Sequence, residues 1–339
     1  MLPLVALEEA MNLPALAEQS KYQASLFTAD GDADGHAYRL CDIHETRAKK
    51  MQEHGVAHTI LSLTAPGIQD FDDAKVAAEK AREVNDYTYE QIKSSGKQFS
   101  AFASLSMHEP EEASRELRRA VTELGCVGAL VNDNQRLPND EHAWYDQPEW
   151  DSFWKTCTDL DVPFYLHPIA VKGELHRRLY KDRAALIGPV KSFATGVSTH
   201  ILGMIVNGVF DRHPKLKIII GHLGEHLPFD MWRINHWLED VHRKRGGTKQ
   251  QLTIRDYFAR NIWITTSGHF SNNALIMCLA EVGVDRILFS IDYPYESFES
   301  ACNWFRQLEP QLNKTDLRKI AYKNAKILFP HLKDLPEDI

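Results

Sequence analysis

Glu8, His167, His222 and Asp292 each stand where an apolar, β-branched run stops, in VALEE, FYLHP, IIIGHLGE and LFSIDYP. A chain that repeatedly places an acid or an imidazole at the end of a buried strand builds one pocket from distant segments, as the loops at one end of a barrel do. Carboxylate, imidazole and carboxylate at the ends of the first, fifth and eighth runs could converge on one divalent cation, which takes oxygen and nitrogen ligands. His222 and Glu225, three positions apart, add a second pairing. A carboxylate on one ring nitrogen tunes a buried imidazole, making His222 an acid/base or a group that binds a phenolate. Each residue alone also has a plainer explanation: a satisfied loop histidine, or, for Glu225, a first-turn acid that complements a helix dipole. The argument for chemistry lies in the set.

The elements that must position these residues alternate along the whole chain. Candidate strands cover 4–7, 59–63, 99–105, 127–131, 162–166, 216–220, 262–265 and 287–291, and amphipathic helices such as 73–94 and 111–124 fall between them. Alternation of this kind implies parallel strands joined by crossovers, and about eight units is the count at which the sheet closes. The expected fold is therefore α/β, a single (β/α)8 TIM barrel spanning 1–339. A doubly wound open sheet is the competing architecture, but the first strand runs into Glu8 and Glu9 where such a sheet usually carries a glycine-rich phosphate loop. On the barrel frame Thr64, Ser106, Asn132, Thr266 and Ser267 also fall at strand ends. The segment 12–47 is long for a connection and suggests a lid or subunit contact over the mouth. The run RKRGGTK at 243–249 reads as a flexible, charged excursion.

Composition removes several classes of function. Among 339 residues, 43% are hydrophobic and 25% charged, enough for one large core, and the formal net charge of −8 disfavours a nucleic-acid partner, which needs a basic surface. No apolar run reaches the roughly 18 residues that a membrane span requires, and the start lacks a basic n-region followed by a long apolar stretch. The expected compartment is the cytosol. The five cysteines form no CxxC spacing and read as reduced thiols.

The blocks VALEEA, ALVNDNQ, DVPFYLHP, NGVFDRHPKLKIIIGHLGEHLPFDMWRI, NIWITTSGHF and DRILFSIDYPYE, in that order, resemble the nonoxidative decarboxylases of the amidohydrolase superfamily. Within that group the chain is most similar to the fungal 2,3-dihydroxybenzoate decarboxylases, with salicylate and gamma-resorcylate decarboxylases as close relatives. The resemblance implies one divalent metal ion (Mg, Mn or Zn) held by Glu8, His167 and Asp292, and no organic cofactor. It implies His222 and Glu225 as the acid/base pair beside Asp292, an aromatic acid bordered by Phe27, Phe193 and Tyr295 with Thr64 nearby, and a homodimer or homotetramer. Two positions depart from the pattern. The superfamily usually places a metal-binding His two residues after the first ligand, where this chain has Ala10, as the fungal subgroup does. That oxygen-rich set suits Mg or Mn better than Zn. Tyr295 stands where the dihydroxybenzoate enzymes usually carry Phe.

The implied reaction is reversible loss of carbon dioxide from an ortho-hydroxybenzoic acid, with 2,3-dihydroxybenzoate going to catechol as the first expectation and salicylate or 2,6-dihydroxybenzoate as alternatives. Direct loss would leave an aryl carbanion, so an acid must first protonate the carbon that bears the carboxyl group; Asp292 is assigned that role. A metal-dependent hydrolase of a lactone or amide is the rival from another class, weakened because no strand end carries the lysine that such hydrolases often use. A non-catalytic binding protein is the third reading.

Overall fold

The alternating runs become parallel strands in the computed structural model, which describes residues 2–28 and 31–337. In chain order the strands are β1 (Leu4–Met11), β2 (Val56–Leu63), β3 (Phe99–Ala101), β4 (Ala129–Asn132), β5 (Gln135–Arg136), β6 (His142–Ala143), β7 (Phe164–His167), β8 (Ile218–Ile220), β9 (Ile262–Thr265) and β10 (Ile287–Leu288). β1, β2 and β3 form one parallel ladder and β4, β7, β8, β9 and β10 another, while β5 and β6 make a small antiparallel hairpin. Eight strands thus match the eight expected runs. The hairpin was not expected, because Gln135, Arg136 and His142 carry no apolar alternation.

Two seams join the ladders. At one, a parallel bridge pairs Ala103 with Ala129, supported by Ala103 N donating to Gly128 O at 2.8 Å. Gly128 is required there, since a Cβ would lie 2.3 Å from Pro163 O. At the other, between β10 and β1, Ala10 N donates to Tyr293 O at 2.8 Å, and the Glu9 carboxyl accepts from Ile291 N (2.9 Å) and Tyr293 N (3.3 Å). A side chain there supplies acceptors that a neighbouring backbone normally offers.

Helices cover the outside for reasons legible in their sequences. Ala74–Ile92 starts at Asp73, whose side chain accepts from Lys75 N and Val76 N at 2.9 Å, a cap that contributes about 1 kcal/mol. Its buried stripe is Ala77, Ala81, Val84, Asn85 and Thr88, one face at helical spacing, and the two alanines let the helix approach the strands closely. A charge at Ala81 would break that contact. The core is mostly apolar, as in Ile218, Ile219 and Ile220 on β8, all fully buried, each stabilising the fold by about 1.5–3 kcal/mol.

Several boundaries differ from the sequence reading. β1 runs on to Met11, so Glu8 and Glu9 lie inside a strand instead of after it, while β3 and β10 stop earlier than the apolar runs suggest. The run 243–249 is anchored, because Arg243 Nη2 donates to Gln250 O (3.2 Å) and Leu252 O (3.3 Å). Of the segment 12–47, residues 29 and 30 lie outside the described residues; most of the rest is folded into a short 3-10 turn (Pro14–Leu16), the helices Ala17–Phe27 and Ala33–Cys41 and the start of Thr46–His54. Asn12 fastens its base, with Asn12 N donating to Leu40 O at 2.9 Å and Nδ2 donating to Ser20 Oγ at 2.8 Å. No described helix is long and apolar enough to cross a membrane. The five cysteines are free, four of them buried.

Candidate active site

Glu8 reaches the barrel interior at a break in the β1–β2 register. Ala6 pairs with Thr59 and Glu9 with Leu61, so β1 carries one extra residue between them, a bulge of the kind that re-aims a side chain beside a site. One oxygen, Oε2, accepts short hydrogen bonds from the hydroxyls of Tyr165 and Ser267 and a 3.4 Å bond from Thr265. Gly221 makes room for this cradle, since a Cβ there would stand 2.8 Å from Glu8 Oε2 and 3.2 Å from the Tyr165 hydroxyl. The other oxygen, Oε1, is buried without a well-aligned hydrogen bond, although His167 Nε2 lies 3.1 Å and His222 Nε2 3.5 Å away.

The two histidines differ in what holds their other nitrogen. His167 ends β7 and turns Nδ1 to Pro168 O at 2.8 Å. A carbonyl can only accept, so in the neutral ring Nδ1 carries the proton and the Nε2 lone pair faces Glu8. His222 turns Nδ1 to the Glu225 carboxylate at 2.6 Å, which stabilises a charged ring instead. The loop that makes this contact is curled into the left-handed region at His222, Leu223, Gly224, Glu225 and His226, with φ between 50° and 83°. Each non-glycine residue there costs on the order of 1 kcal/mol or more, offset in part by Leu223 N donating to Thr265 O at 2.8 Å. Gly224 lacks the side chain that disfavours this conformation; its four neighbours in the run adopt it without that freedom. Asp292 also has positive φ, at 79°, and presents Oδ2 3.6 Å from His222 Nε2.

The electrostatics divide the acids by their partners. Burial alone would raise Glu8, yet the charges of His222 and His167, the close approach of His167 Nε2 and the hydroxyl of Ser267 hold it at about 2. Burial raises Asp292 to about 6, with Glu8 adding to the rise and His222 opposing it. Burial opposes protonation of His222, but Glu225, Glu8 and Asp292 draw it well above the usual imidazole range; Glu8 raises His167 against its burial. Asp133, at the end of β4, is raised by burial to about 7.

The carboxyls therefore pull protons onto both imidazoles, which marks a site with negative charge to spare. Glu8, His222 and Asp292 each offer a ligand atom within 4.8 Å of the other two. Together with the unsatisfied Glu8 Oε1, this oxygen and nitrogen set fits a divalent cation. Ala10, two residues beyond Glu8, adds no donor.

The residues expected to border a substrate form two pairs. Tyr295 shares a 2.8 Å hydrogen bond with Thr64 Oγ1, and its ring lies 4.5 Å from that of His36. Phe27 packs edge to face on Phe193 at 5.5 Å, so the segment 12–47 touches these expected residues through Phe27 and His36. Sequence reading named neither Tyr165 nor Thr265 for the site. The signal was available, because each lies two residues before a named strand-end residue, His167 and Ser267, and so on the same strand face.

Residues 32–330 match the amidohydrolase family. The chain belongs to that family. Among its amidohydrolase relatives, the gamma-resorcylate decarboxylase of a Polaromonas species is 40% identical over 331 residues, covering 96% of this chain and 98% of the relative. A crystal structure of dihydroxybenzoic acid decarboxylase from the same species, with bound manganese and the inhibitor 2-nitroresorcinol, superposes with a TM-score of 0.91 at 40% identity, covering 98% of each chain. A 2,6-dihydroxybenzoate decarboxylase complexed with 2,6-dihydroxybenzoate gives 0.90 at 39% identity over 97% of this chain and 100% of that one. The 2,3-dihydroxybenzoate decarboxylase of Aspergillus niger is more distant, 29% identical over 308 residues, which cover 62% of this chain and 100% of the relative.

Proposed function

We propose that the protein is a metal-dependent carboxy-lyase that removes carbon dioxide, reversibly and without oxidation, from an ortho-hydroxybenzoic acid. The observation that carries this reading is Asp292, a buried acid raised to about 6 and set 3.6 Å from a charged, carboxylate-backed His222. A buried acid that holds its proton near neutrality can give it to carbon. Sequence reading put 2,3-dihydroxybenzoate first; the higher identity of the gamma-resorcylate relatives moves 2,6-dihydroxybenzoate, then an alternative, to first place.

Glu8, His167 and Asp292 would hold a divalent ion, magnesium, manganese or zinc, and the manganese in the Polaromonas structure favours the second. When bound, it supplies Lewis-acid charge to the substrate's carboxylate and ortho oxygen. Asp292 delivers its proton to the ring carbon that bears the carboxyl group. The bond from that carbon to the carboxylate then breaks, its electron pair restores the aromatic ring, and carbon dioxide leaves. The charged His222 donates from Nε2 to the ortho oxygen of the substrate, whose own proton passes to solvent on binding and is regained on product release, and Glu225 stabilises the ring charge at Nδ1. Solvent returns a proton to Asp292. Phe27, Phe193, Thr64 and Tyr295 border the ring. The test is incubation of the manganese-loaded protein with 2,6- and 2,3-dihydroxybenzoate, salicylate and 4-hydroxybenzoate. The first three, with an ortho hydroxyl, are the candidates for turnover, 2,6-dihydroxybenzoate foremost, and the last should be inert.

A second reading of the ligand set rests on the grouping of Glu8, His222 and Asp292 within 4.8 Å, which would make His222 the imidazole ligand. Metal content after removal of each histidine separates the two. The protein is also proposed to work as a homodimer or homotetramer in the cytosol. Phe229 and Trp232 are 78% and 69% exposed on the helix Leu227–His236, whereas Leu227 and Met231 on the same helix are buried in the core. Light scattering should give a mass above that of one chain.

A further inference from the structure

Asp292 sits in the left-handed region at φ 79°, a conformation that costs a non-glycine residue on the order of 1 kcal/mol or more. The backbone N–H groups of the residues before and after it, Ile291 and Tyr293, both donate to one carboxyl group, that of Glu9, at 2.9 and 3.3 Å. Glu9 is fully buried and neighbours Glu8 on β1, but it points to the seam with β10 and takes no part in the ligand set. The seam is closed from the far side as well. Ala10 N donates to Tyr293 O at 2.8 Å, Arg47 Nη2 donates to Ala10 O at 2.5 Å, and the Arg47 guanidinium lies 4.7 Å from the centre of the Tyr293 ring. Arg47 is itself fully buried at the start of the helix Thr46–His54, where the segment 12–47 ends.

We propose that Glu9 is a positioning residue for Asp292: its carboxyl group holds the backbone N–H groups of the residues before and after it and fixes the direction in which the Asp292 side chain leaves the backbone, with Arg47 bracing the clamp. The proposal rests on the decarboxylase reading for its catalytic consequence, though not for the clamp itself. Two hydrogen bonds to one carboxyl leave the intervening residue little freedom to flip. An error of a fraction of an ångström in a proton donor is expensive, since proton transfer to carbon needs close alignment.

The test uses full-length Glu9→Leu and Glu9→Gln, each loaded with manganese. Amide hydrogen exchange of peptides spanning 287–296 is compared with those spanning 216–222, and kcat and KM are measured with 2,6-dihydroxybenzoate. In Glu9→Leu, exchange in 287–296 should rise at least tenfold with 216–222 unchanged, and kcat should fall at least fiftyfold with KM within threefold of wild type. Glu9→Gln keeps one carbonyl oxygen and should recover at least tenfold of the lost kcat. If Glu9→Leu does not fold, Glu9→Gln decides alone, with a severalfold rise in exchange confined to 287–296 expected. Unchanged exchange in that segment, loosening spread equally over 216–222, or a glutamine variant no better than leucine would overturn the proposal. A wild-type protein inactive on every hydroxybenzoate would end the decarboxylase reading, and the exchange comparison would still decide the clamp.

Discussion

Glu8 and Glu9 are neighbours on β1 and both are buried, yet the inner carboxyl is held at about 2 and the outer one is pushed up to about 8. Burial acts on the two alike, raising each. The difference lies in their partners. Glu8 faces two imidazoles that can carry charge and three hydroxyls; Glu9 faces two peptide N–H groups and Arg47, with Asp292 adding a like charge against it. A strand's alternation sends adjacent side chains to opposite faces, so one dipeptide serves the inside of the barrel with an anion and the seam with an acceptor. Identity of residue type says little here; the surroundings decide the chemistry.

The largest effect should come from breaking the inner half of that comparison. Asp292→Asn should lower kcat by at least two orders of magnitude with the thermal melt unchanged within a few degrees, because the amide keeps the shape and cannot give up a proton; activity within tenfold of wild type would remove its role. Next, His167→Ala should lose bound manganese as well as rate, while His222→Ala should lose rate and keep the metal. Equal metal loss by elemental analysis would favour the His222 ligand set.

The outer half can be tested by pH. The folded Glu9 carboxyl lies above its unfolded value near 4.5. The folded state therefore binds more protons between about pH 4.5 and 8, and the stability that Glu9 contributes is full below that window and lost as pH rises through 8. Glu9→Gln should flatten the fall in urea midpoint between pH 5 and 8, an effect on the order of a few kcal/mol at most. A wild-type slope preserved in the variant would place the titrating group elsewhere. The smallest effect is expected at Tyr295. Its hydroxyl is satisfied by Thr64, so Tyr295→Phe should change the ratio of kcat/KM for 2,6- and 2,3-dihydroxybenzoate severalfold, about 1 kcal/mol. An unchanged ratio would clear Tyr295 of any part in specificity.

How much of this was legible in the sequence follows the same division. Glu8, His167, His222 and Asp292 could be found because each interrupts an apolar run, and eight such runs gave the barrel. Glu225 could be paired with His222 by spacing. Glu9 could not be separated from an ordinary solvent-facing residue, since alternation predicts an outward side chain and says nothing of what covers it. Arg47 was hidden for a related reason: arginines are almost never fully buried unless paired, and its acceptor, Ala10 O, is a backbone atom thirty-seven residues away. The left-handed run at 222–226 and the bulge beside Glu8 are set by tertiary hydrogen bonds and leave no mark on composition.

The central claim is that Asp292 protonates the ring carbon that loses carbon dioxide. It is tested most directly by turning over 2,6-dihydroxybenzoate with the manganese-loaded protein in deuterium oxide and following carbon dioxide and resorcinol together. The account predicts one resorcinol per carbon dioxide, carrying a single deuteron at the vacated carbon, and no product from Asp292→Asn. Absence of resorcinol with the wild-type protein, or the same deuterated product formed at an undiminished rate by Asp292→Asn, would contradict it.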